Sequence, residues 1–337
     1  MKKHLISLLV FLLFMIGHIE TGAWGQTDPA RIALAKKEGE VIWYSNLAVD
    51  RGDAIARGFM KAHPYVKVKY FRANAPQLAN RVMTEAQAGK SQMDVLLISF
   101  FFLDQIIEAG ILEPYCSSER AAFPPEFKDK DCLWTLINAN THVIAYNTQL
   151  VNRNEAPKNY SDLLNPRWRE KMVIDDEGYR WFTYTIDKMG ETKGLTFMKR
   201  LAAQKLNFRH GDTLISQLLA AGEFSVCIVC YGYRVELMKS KGAPVDWNVD
   251  EPVTVSGSTV SLARRAPHRN AAQLLIDYIL SKEGQTVLAS FFTVPARKDV
   301  PPLAPRLIQG LKLHPIRVEL SKKLSSRRDQ FFQIFKH

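Results

Sequence analysis

The chain has 337 residues, of which 47% are hydrophobic, and it carries a formal net charge of +11 at pH 7. This length is large for one hydrophobic core and suits two lobes of roughly 150 residues each. A positive net charge of this size suits a protein that binds nucleic acid, an anionic surface or an anionic ligand. Because the basic residues are scattered and not gathered in one arm, and because the chain carries an export signal, we exclude nucleic acid as the partner.

That signal lies at the N-terminus, which has the layout of a secretory signal peptide. Its first four residues include two lysines, residues 5–16 are apolar, and the small residues Ala23 and Gly25 follow. The apolar run is shorter than the roughly 20 residues that span a bilayer as a helix. We therefore predict that residues 1–25 are removed, that the mature protein starts at Gln26 and that it is periplasmic. Cleavage after Ala23 is the alternative.

The first half of the mature chain alternates strand and helix patterns. A helix predicted over 28–37 opens with Asp28-Pro29, a cap followed by a first-turn proline, and Gly39 ends it. The order that follows is strand, helix, strand, helix, strand, helix, which is typical of a wound sheet with helices on both faces. These segments are predicted at residues 41–44, 53–62, 66–70, 78–86, 94–99 and 103–107.

A second α/β series begins after a loop rich in turn residues. Its apolar and amphipathic segments again predict strands that alternate with helices. The strands are predicted at residues 142–146, 172–174, 224–231 and 253–263. The helices are predicted at residues 181–189, 192–203, 213–221 and 270–280.

All four cysteines of the chain follow the predicted signal peptide, so they enter an oxidising compartment. Cys116 and Cys132 flank a loop that contains proline, and we predict a disulfide between them. Cys227 and Cys230 lie in the apolar strand predicted over 224–231. Residues three apart on a strand point to opposite faces, so this pair is predicted to be two packed core thiols and neither a disulfide nor a metal site.

Four phrases, in this order along the chain, resemble family 1 extracellular solute-binding proteins of ABC importers, a family that includes ferric-ion-binding proteins. The two longer phrases are residues 156–171, APKNYSDLLNPRWREK, and residues 266–285, APHRNAAQLLIDYILSKEGQ. The shorter phrases are Gly222-Glu223 before the apolar strand and residues 241–247, KGAPVDW, after it. The resemblance covers nearly the whole mature chain.

The resemblance implies an α/β fold, the two-lobed periplasmic-binding-protein fold of the second type, with the ligand in a cleft between the lobes. Two crossing strands would join the lobes near residues 139–143 and 250–255. The implied organisation is lobe 1 (26–139), lobe 2 (140–250), the second part of lobe 1 (251–310) and a C-terminal helix (311–337). The implied function is the capture of a small solute and its delivery to an ABC permease in the inner membrane. We expect a monomer with no cofactor and no catalytic site.

Open α/β sheets bind ligands beyond the carboxyl ends of their strands, which selects the candidate cleft residues. Helix N-termini at some of these positions favour an anion. The alternative for the first-lobe residues is an ordinary turn, and the alternative for Trp181 is a position in the core. For Asp212 a helix cap is preferred over a ligand contact. The candidates are Ser45, Asn46, Ser99, Phe100, Glu177, Tyr179, Arg180, Trp181, His210, Tyr231, Tyr233 and Arg234.

Tyr231 and Tyr233 are the sharpest candidates, because residues i and i+2 share a face of an extended chain. They stand where the ferric-binding relatives carry an adjacent tyrosine pair, and phenolate oxygens suit a hard ferric ion. Three features depart from the iron pattern: Gly232 splits the pair, no histidine follows Tyr44-Ser45, and residues 100–102 are all phenylalanine where a carboxylate is expected.

The predicted ligand is therefore a small anion. A ferric ion held by Tyr231 and Tyr233 is the alternative. An exported hydrolase is a remote alternative, since the sequence contains neither a Gly-x-Ser-x-Gly elbow nor a His-Glu-x-x-His motif.

Overall fold

The computed structural model describes residues 28–316 and 318–335. The signal peptide predicted over 1–25 and its cleavage site lie outside the described residues. Among the residues that are described, no helix combines the length and the apolar character needed to cross a membrane.

The described residues form eleven α-helices and fourteen strands, and the order of the elements alternates along most of the chain. The helices are α1 (Pro29–Glu38), α2 (Val49–Ala62), α3 (Ala75–Gln87), α4 (Leu103–Glu108), α5 (Tyr179–Met189), α6 (Glu191–Ala202), α7 (Asp212–Ala221), α8 (Gly232–Ser240), α9 (Arg269–Leu280), α10 (Lys282–Ala289) and α11 (Leu324–Phe335). The strands are β1 (Glu40–Ser45), β2 (Lys67–Arg72), β3 (Val95–Ser99), β4 (Leu112–Glu113), β5 (Thr135–Leu136), β6 (Asn138–Asn147), β7 (Met172–Asp175), β8 (Asn207–Arg209), β9 (Val226–Tyr231), β10 (Val245–Asn248), β11 (Val253–Ser256), β12 (Ser258–Ala263), β13 (Val294–Pro295) and β14 (Leu313–Pro315).

The strands form two sheets. The first has the order β2-β1-β3-β12-β4, with β5 also paired to β12, and its strands β1, β2 and β3 run parallel. The second has the order β14-β11-β6-β9-β7-β8, with β10 and β13 also paired to β6. Helices pack against the strands of both sheets, as expected for sheets that contain parallel strands. The α/β class and the two-lobed arrangement predicted from the sequence are confirmed.

Two strand segments pass from one sheet to the other. The chain leaves the first sheet at β5 and enters the second at β6, and it returns from β11 to β12 through Gly257. A Cβ atom at Gly257 would lie 2.2 Å from the carbonyl oxygen of Asn138, so only glycine allows this close approach of the two crossings. The exact lobe boundaries stay a prediction.

The end of the chain contacts both lobes. We define the C-terminal strap as β14, the 3₁₀ turn Val318–Lys323 and α11. Its strand β14 pairs with β11, and the Ser321 hydroxyl donates to Asp104 of α4, in the first lobe, at 3.3 Å. In the second lobe, Phe331 of α11 packs edge-on against Phe182 of α5, with 5.8 Å between ring centroids. The helix is therefore shorter than the predicted 311–337, because its first residues form β14 and the 3₁₀ turn.

The predicted disulfide between Cys116 and Cys132 is present. It closes a loop over a sequence separation of 16 residues, for which the chain-entropy model gives a stabilisation of about 3 kcal/mol. We expect the C116S/C132S variant to lose about that much free energy of unfolding, measured by urea denaturation. An unchanged unfolding midpoint with an unchanged slope would contradict this expectation.

The prediction for Cys227 and Cys230 was wrong, because these residues also form a disulfide. The pairing of β9 with β6 shifts register: Cys230 lies opposite Val143 and Cys227 opposite Ala145. Three steps along β9 thus match two along β6, which is a β-bulge with one extra residue. The bulge brings both sulfur atoms to the same face, and the simple alternation assumed for a regular strand does not hold here.

Candidate functional site

A cleft of about 570 Å³ lies between the two lobes, beyond the carboxyl ends of β1, β3, β7 and β9. A smaller recess adjoins it and shares with it Ser99, Asp175, Glu177, Arg180, Asp212, Tyr231 and Ser256. Both lobes contribute to the walls, as the strand-end rule for α/β sheets predicts.

The structure brings ten of the twelve predicted site residues to these walls. Eight line the cleft: Asn46, Ser99, Glu177, Arg180, His210, Tyr231, Tyr233 and Arg234. Phe100 and Trp181 line the recess. Ser45 and Tyr179 line neither, and Ser45 is fully buried, with its hydroxyl accepting from the backbone N–H of Leu47 at 3.0 Å. Ser45 therefore has the alternative role named for it, that of a residue in a turn.

Four helices begin at the cleft walls without a side-chain cap in the described part of the chain. They are α2, α5, α7 and α8, and their cap positions are Ala48, Gly178, Gly211 and Tyr231. The first N–H groups of a helix have no intrahelical partner and carry partial positive charge. The cleft is therefore surrounded by backbone donors that suit a negatively charged ligand.

Four arginines also line the cleft: Arg51, Arg72, Arg180 and Arg234. Arg51 comes from the first lobe, and its Nη2 donates to the Tyr233 hydroxyl at 3.1 Å. Arg234 reaches the same hydroxyl at 3.4 Å, while its buried Nε has no partner in the described residues. The Nη2 of Arg180 lies 3.1 Å from a carboxylate oxygen of Glu177.

Two aspartates of the cleft were not among the predicted site residues. Asp175 accepts from the backbone N–H of Glu177 at 2.7 Å and of Gly211 at 3.0 Å, so it joins the loops that start α5 and α7. Burial, followed by the nearby charge of Asp212, raises the pKa of Asp175 to about 6. Burial also raises the pKa of Asp212, and the positive charges of Arg180 and Arg234 oppose that rise.

Asp212 was expected to cap a helix, and this expectation was wrong. Gly211 occupies the cap position of α7 with φ 90°, so Asp212 is the first helical residue and lines the cleft. Glycine adopts a positive φ at little cost. Because Gly211 can therefore take the cap position, the helix starts one residue earlier than predicted.

Tyr231 and Tyr233 both line the cleft, but their backbone differs from the extended segment predicted for them. Strand β9 ends at Tyr231, which is the cap residue of α8, so the pair is not extended. Their rings stack with 5.8 Å between centroids. A Cβ atom at Gly232 would lie 2.6 Å from Leu307 Cδ2 and 2.9 Å from Thr141 Oγ1, so glycine lets α8 approach β6. Burial raises the pKa of the Tyr231 phenol.

Sequence reasoning missed a buried hydrogen-bonded group at the back of the recess. His142 of β6 is bonded through Nδ1 to the Tyr184 hydroxyl and through Nε2 to the Ser256 hydroxyl, the latter at 2.7 Å. Its ring also meets the Tyr231 ring edge-on, with centroids 5.2 Å apart. Burial, then the charges of Arg180 and a nearby lysine, lower the pKa of His142 to about 3. No sequence motif marks this group, since its members come from three separate elements.

The side chains of the cleft do not form a metal-binding cluster of His, Cys, Asp and Glu in the described residues. No group of three or more such residues is arranged to hold a metal ion within residues 28–316 and 318–335. The ferric alternative therefore depends on the phenol oxygens of Tyr231 and Tyr233.

Comparisons with known proteins agree with this architecture. Iron uptake protein A1 of Synechocystis is 23% identical over 308 residues, which are 86% of this chain and 84% of that protein. The structure of iron-bound HitA from Pseudomonas aeruginosa matches with a TM-score of 0.77 at 22% identity, covering 87% of this chain and 99% of that one. AfuA from Actinobacillus pleuropneumoniae, with fructose-6-phosphate bound, matches with a TM-score of 0.75 at 22% identity, covering 89% and 99%.

At these identities the structural matches establish the fold, which is that of periplasmic binding proteins. The family assignment comes from the sequence itself, since the family described as bacterial extracellular solute-binding protein matches residues 91–323. The chain therefore belongs to the bacterial extracellular solute-binding proteins, the family that supplies ABC importers with their substrate-capturing component.

Proposed function

We propose that this protein captures a small organic anion in the interlobe cleft and delivers it to an ABC permease. The observation that carries the proposal is the convergence of four helix N-termini and four arginines on one cavity. Backbone N–H groups and guanidinium groups donate hydrogen bonds, and both stabilise negative charge. A cavity of about 570 Å³ has the size of sites for small metabolites.

The proposal includes the setting in which the protein acts. It works in the periplasm, in keeping with an extracellular solute-binding family. We further propose that it is a monomeric carrier without enzymatic activity. The remote hydrolase alternative gains no support from the cleft. His142 is buried and bonded on both ring nitrogens, and no serine–histidine–carboxylate arrangement involves it in the described chain.

A ferric ion is the second candidate ligand, because relatives are named for iron and two phenols line the cleft. The surroundings of Tyr233 oppose it. The hydroxyl oxygen of Tyr233 accepts from Arg51 and lies near Arg234. A trivalent cation bound to that oxygen would therefore sit beside two guanidinium charges, which repel it at close range. The same charges attract an anion.

The test is a thermal-shift series on the mature protein with inorganic phosphate, citrate, fructose-6-phosphate and ferric citrate. We expect at least one of the iron-free organic anions, citrate or fructose-6-phosphate, to raise the melting temperature in proportion to the logarithm of its concentration, because it binds the folded state. Native mass spectrometry of freshly purified protein should also reveal a co-purified anion.

The ferric alternative gives a different result. Ferric citrate would produce a visible phenolate-to-iron absorption band that Tyr231→Phe and Tyr233→Phe both remove. That band, together with no shift from any iron-free anion, would contradict our proposal and establish the ferric carrier.

A further inference from the structure

The buried group around His142 raises a question about the direction of its hydrogen bonds. Tyr184, His142 and Ser256 form one chain of contacts: the Tyr184 hydroxyl to Nδ1, and Nε2 to the Ser256 hydroxyl. A neutral imidazole has one donor nitrogen and one acceptor nitrogen. Two arrangements of protons are therefore available, and they give Ser256 opposite roles toward a ligand.

In the first arrangement, the Tyr184 hydroxyl donates to Nδ1, and the Nε2 proton is donated to Ser256. The Ser256 hydroxyl then keeps its own proton free. Ser256 is half-buried and lines both the recess and the cleft. Its free proton can therefore be donated to a ligand or to water.

In the second arrangement, Ser256 donates to Nε2, and the Nδ1 proton is donated to the Tyr184 oxygen. The Tyr184 proton then needs another acceptor. Tyr184 is only 3% exposed, and His142 is the partner of its hydroxyl in the described residues. An unsatisfied buried donor carries the full cost of its desolvation. The first arrangement avoids that cost.

We infer that Tyr184 and His142 form a directional relay that makes Ser256 a hydrogen-bond donor to the ligand, so the ligand must present an unprotonated oxygen acceptor at that point. This inference rests on the proposed function, because it assigns a specificity-determining donor within the anion cleft. His142 and Tyr184 are positioning residues for Ser256. The neutral state that the relay needs agrees with the lowered pKa of His142.

The donor that the relay creates at Ser256 shares the walls of the recess with an arginine. Arg180 lines the same walls, and its positive charge is among the causes that lower the pKa of His142. A ligand oxygen between Arg180 and Ser256 would receive a charged donor and a neutral one. A ligand group with no acceptor atom could accept from neither of these two donors.

The test has two readouts. The first is the tautomer of His142 in the free protein, from the ¹⁵N shifts of its ring nitrogens, assigned by the loss of its signals in His142→Gln. We expect the proton on Nε2 in the wild type, and a mixture that includes Nδ1–H in Tyr184→Phe.

The second readout is the affinity for inorganic phosphate, citrate and fructose-6-phosphate by calorimetry. We expect Ser256→Ala to weaken the best of these probes about tenfold. Tyr184→Phe should weaken it by a smaller factor, because part of its His142 keeps the proton on Nε2. The double variant should be no weaker than Ser256→Ala alone, because both changes remove the same donor. Tyr115→Phe is the matched control: it removes a half-buried hydroxyl bonded to Asp277 at 2.8 Å, away from the cleft, and should change neither the tautomer nor the affinity.

The outcomes separate the two proposals. A wild-type tautomer with the proton on Nδ1, or additive losses in the double variant, overturns the relay even when a probe binds. Failure of every probe to bind, with the expected tautomer present, overturns the anion function and with it the role of Ser256 toward a ligand.

Discussion

Replacing Arg180 with methionine will abolish tight anion binding. Arg180 lies in the recess beside Tyr231 and Asp212, and its Nη2 contacts Glu177 at 3.1 Å. Removing the protein partner of a charged hydrogen bond that becomes buried with the ligand typically costs about 2–5 kcal/mol of binding free energy, which corresponds to at least about 30-fold in affinity. Calorimetry with the best probe among phosphate, citrate and fructose-6-phosphate provides the measurement.

A surface arginine provides the control for charge alone. Arg167 forms an exposed pair with Glu155 at 3.1 Å and lines neither the cleft nor the recess. Arg167→Met removes the same unit of charge and should leave the affinity unchanged. If both variants weaken binding equally, the effect is one of net charge, and Arg180 has no special role in the cleft.

The second large effect concerns stability. Lys188, near the end of α5, donates to the carboxylate of Asp250 at 2.6 Å and to the carbonyl oxygens of Asp250 and Pro252 at 3.1 Å. The Lys188 and Asp250 side chains are only 7% and 16% exposed. Lys188→Met leaves the Asp250 charge buried without its partner, which typically costs about 3–5 kcal/mol of the free energy of unfolding. Urea denaturation measures this loss.

Lys205 gives the matched comparison for Lys188. It pairs with Glu170 at 2.9 Å, but both side chains are about 60% exposed, and water screens such pairs. Lys205→Met should therefore leave the unfolding midpoint unchanged. A loss in Lys188→Met no larger than that in Lys205→Met would show that the segment before β11 is held by packing and not by this ion pair.

The sequence allowed the architecture to be predicted because its periodic segments are long and well bounded. The helix predicted over 270–280 corresponds to α9 (Arg269–Leu280), and the strand predicted over 41–44 lies within β1 (Glu40–Ser45). Their apolar spacing alone indicates which face is buried. The same strands positioned ten of the twelve predicted residues at the cavity walls.

The errors share a physical cause, which is backbone geometry that departs from a regular element. The bulge in β9 reversed the conclusion about Cys227 and Cys230. Gly211 moved the start of α7 by one residue, which placed Asp212 in the helix. Helix α8 was not predicted, and it begins at Gly232 directly after β9, so Tyr231 and Tyr233 are not on one extended segment. His142 could not be found from the sequence, because Tyr184 and Ser256 approach it only when the two crossing strands and α5 are assembled.

The C-terminal strap holds the two lobes by contacts of different kinds. Its hold on the second lobe is apolar: Phe331 is fully buried against Phe182, a burial worth about 1.5–3 kcal/mol. Its hold on the first lobe includes Lys322, which is 58% exposed and lies 2.8 Å from Glu108, and exposed pairs of this kind exchange readily with water. Helix α11 packs on α5 and α6 of the second lobe, whereas the 3₁₀ turn Val318–Lys323 packs on α4 of the first lobe. A pair of spectroscopic labels on α4 and α11 would therefore report a rotation of one lobe against the other from outside the cleft.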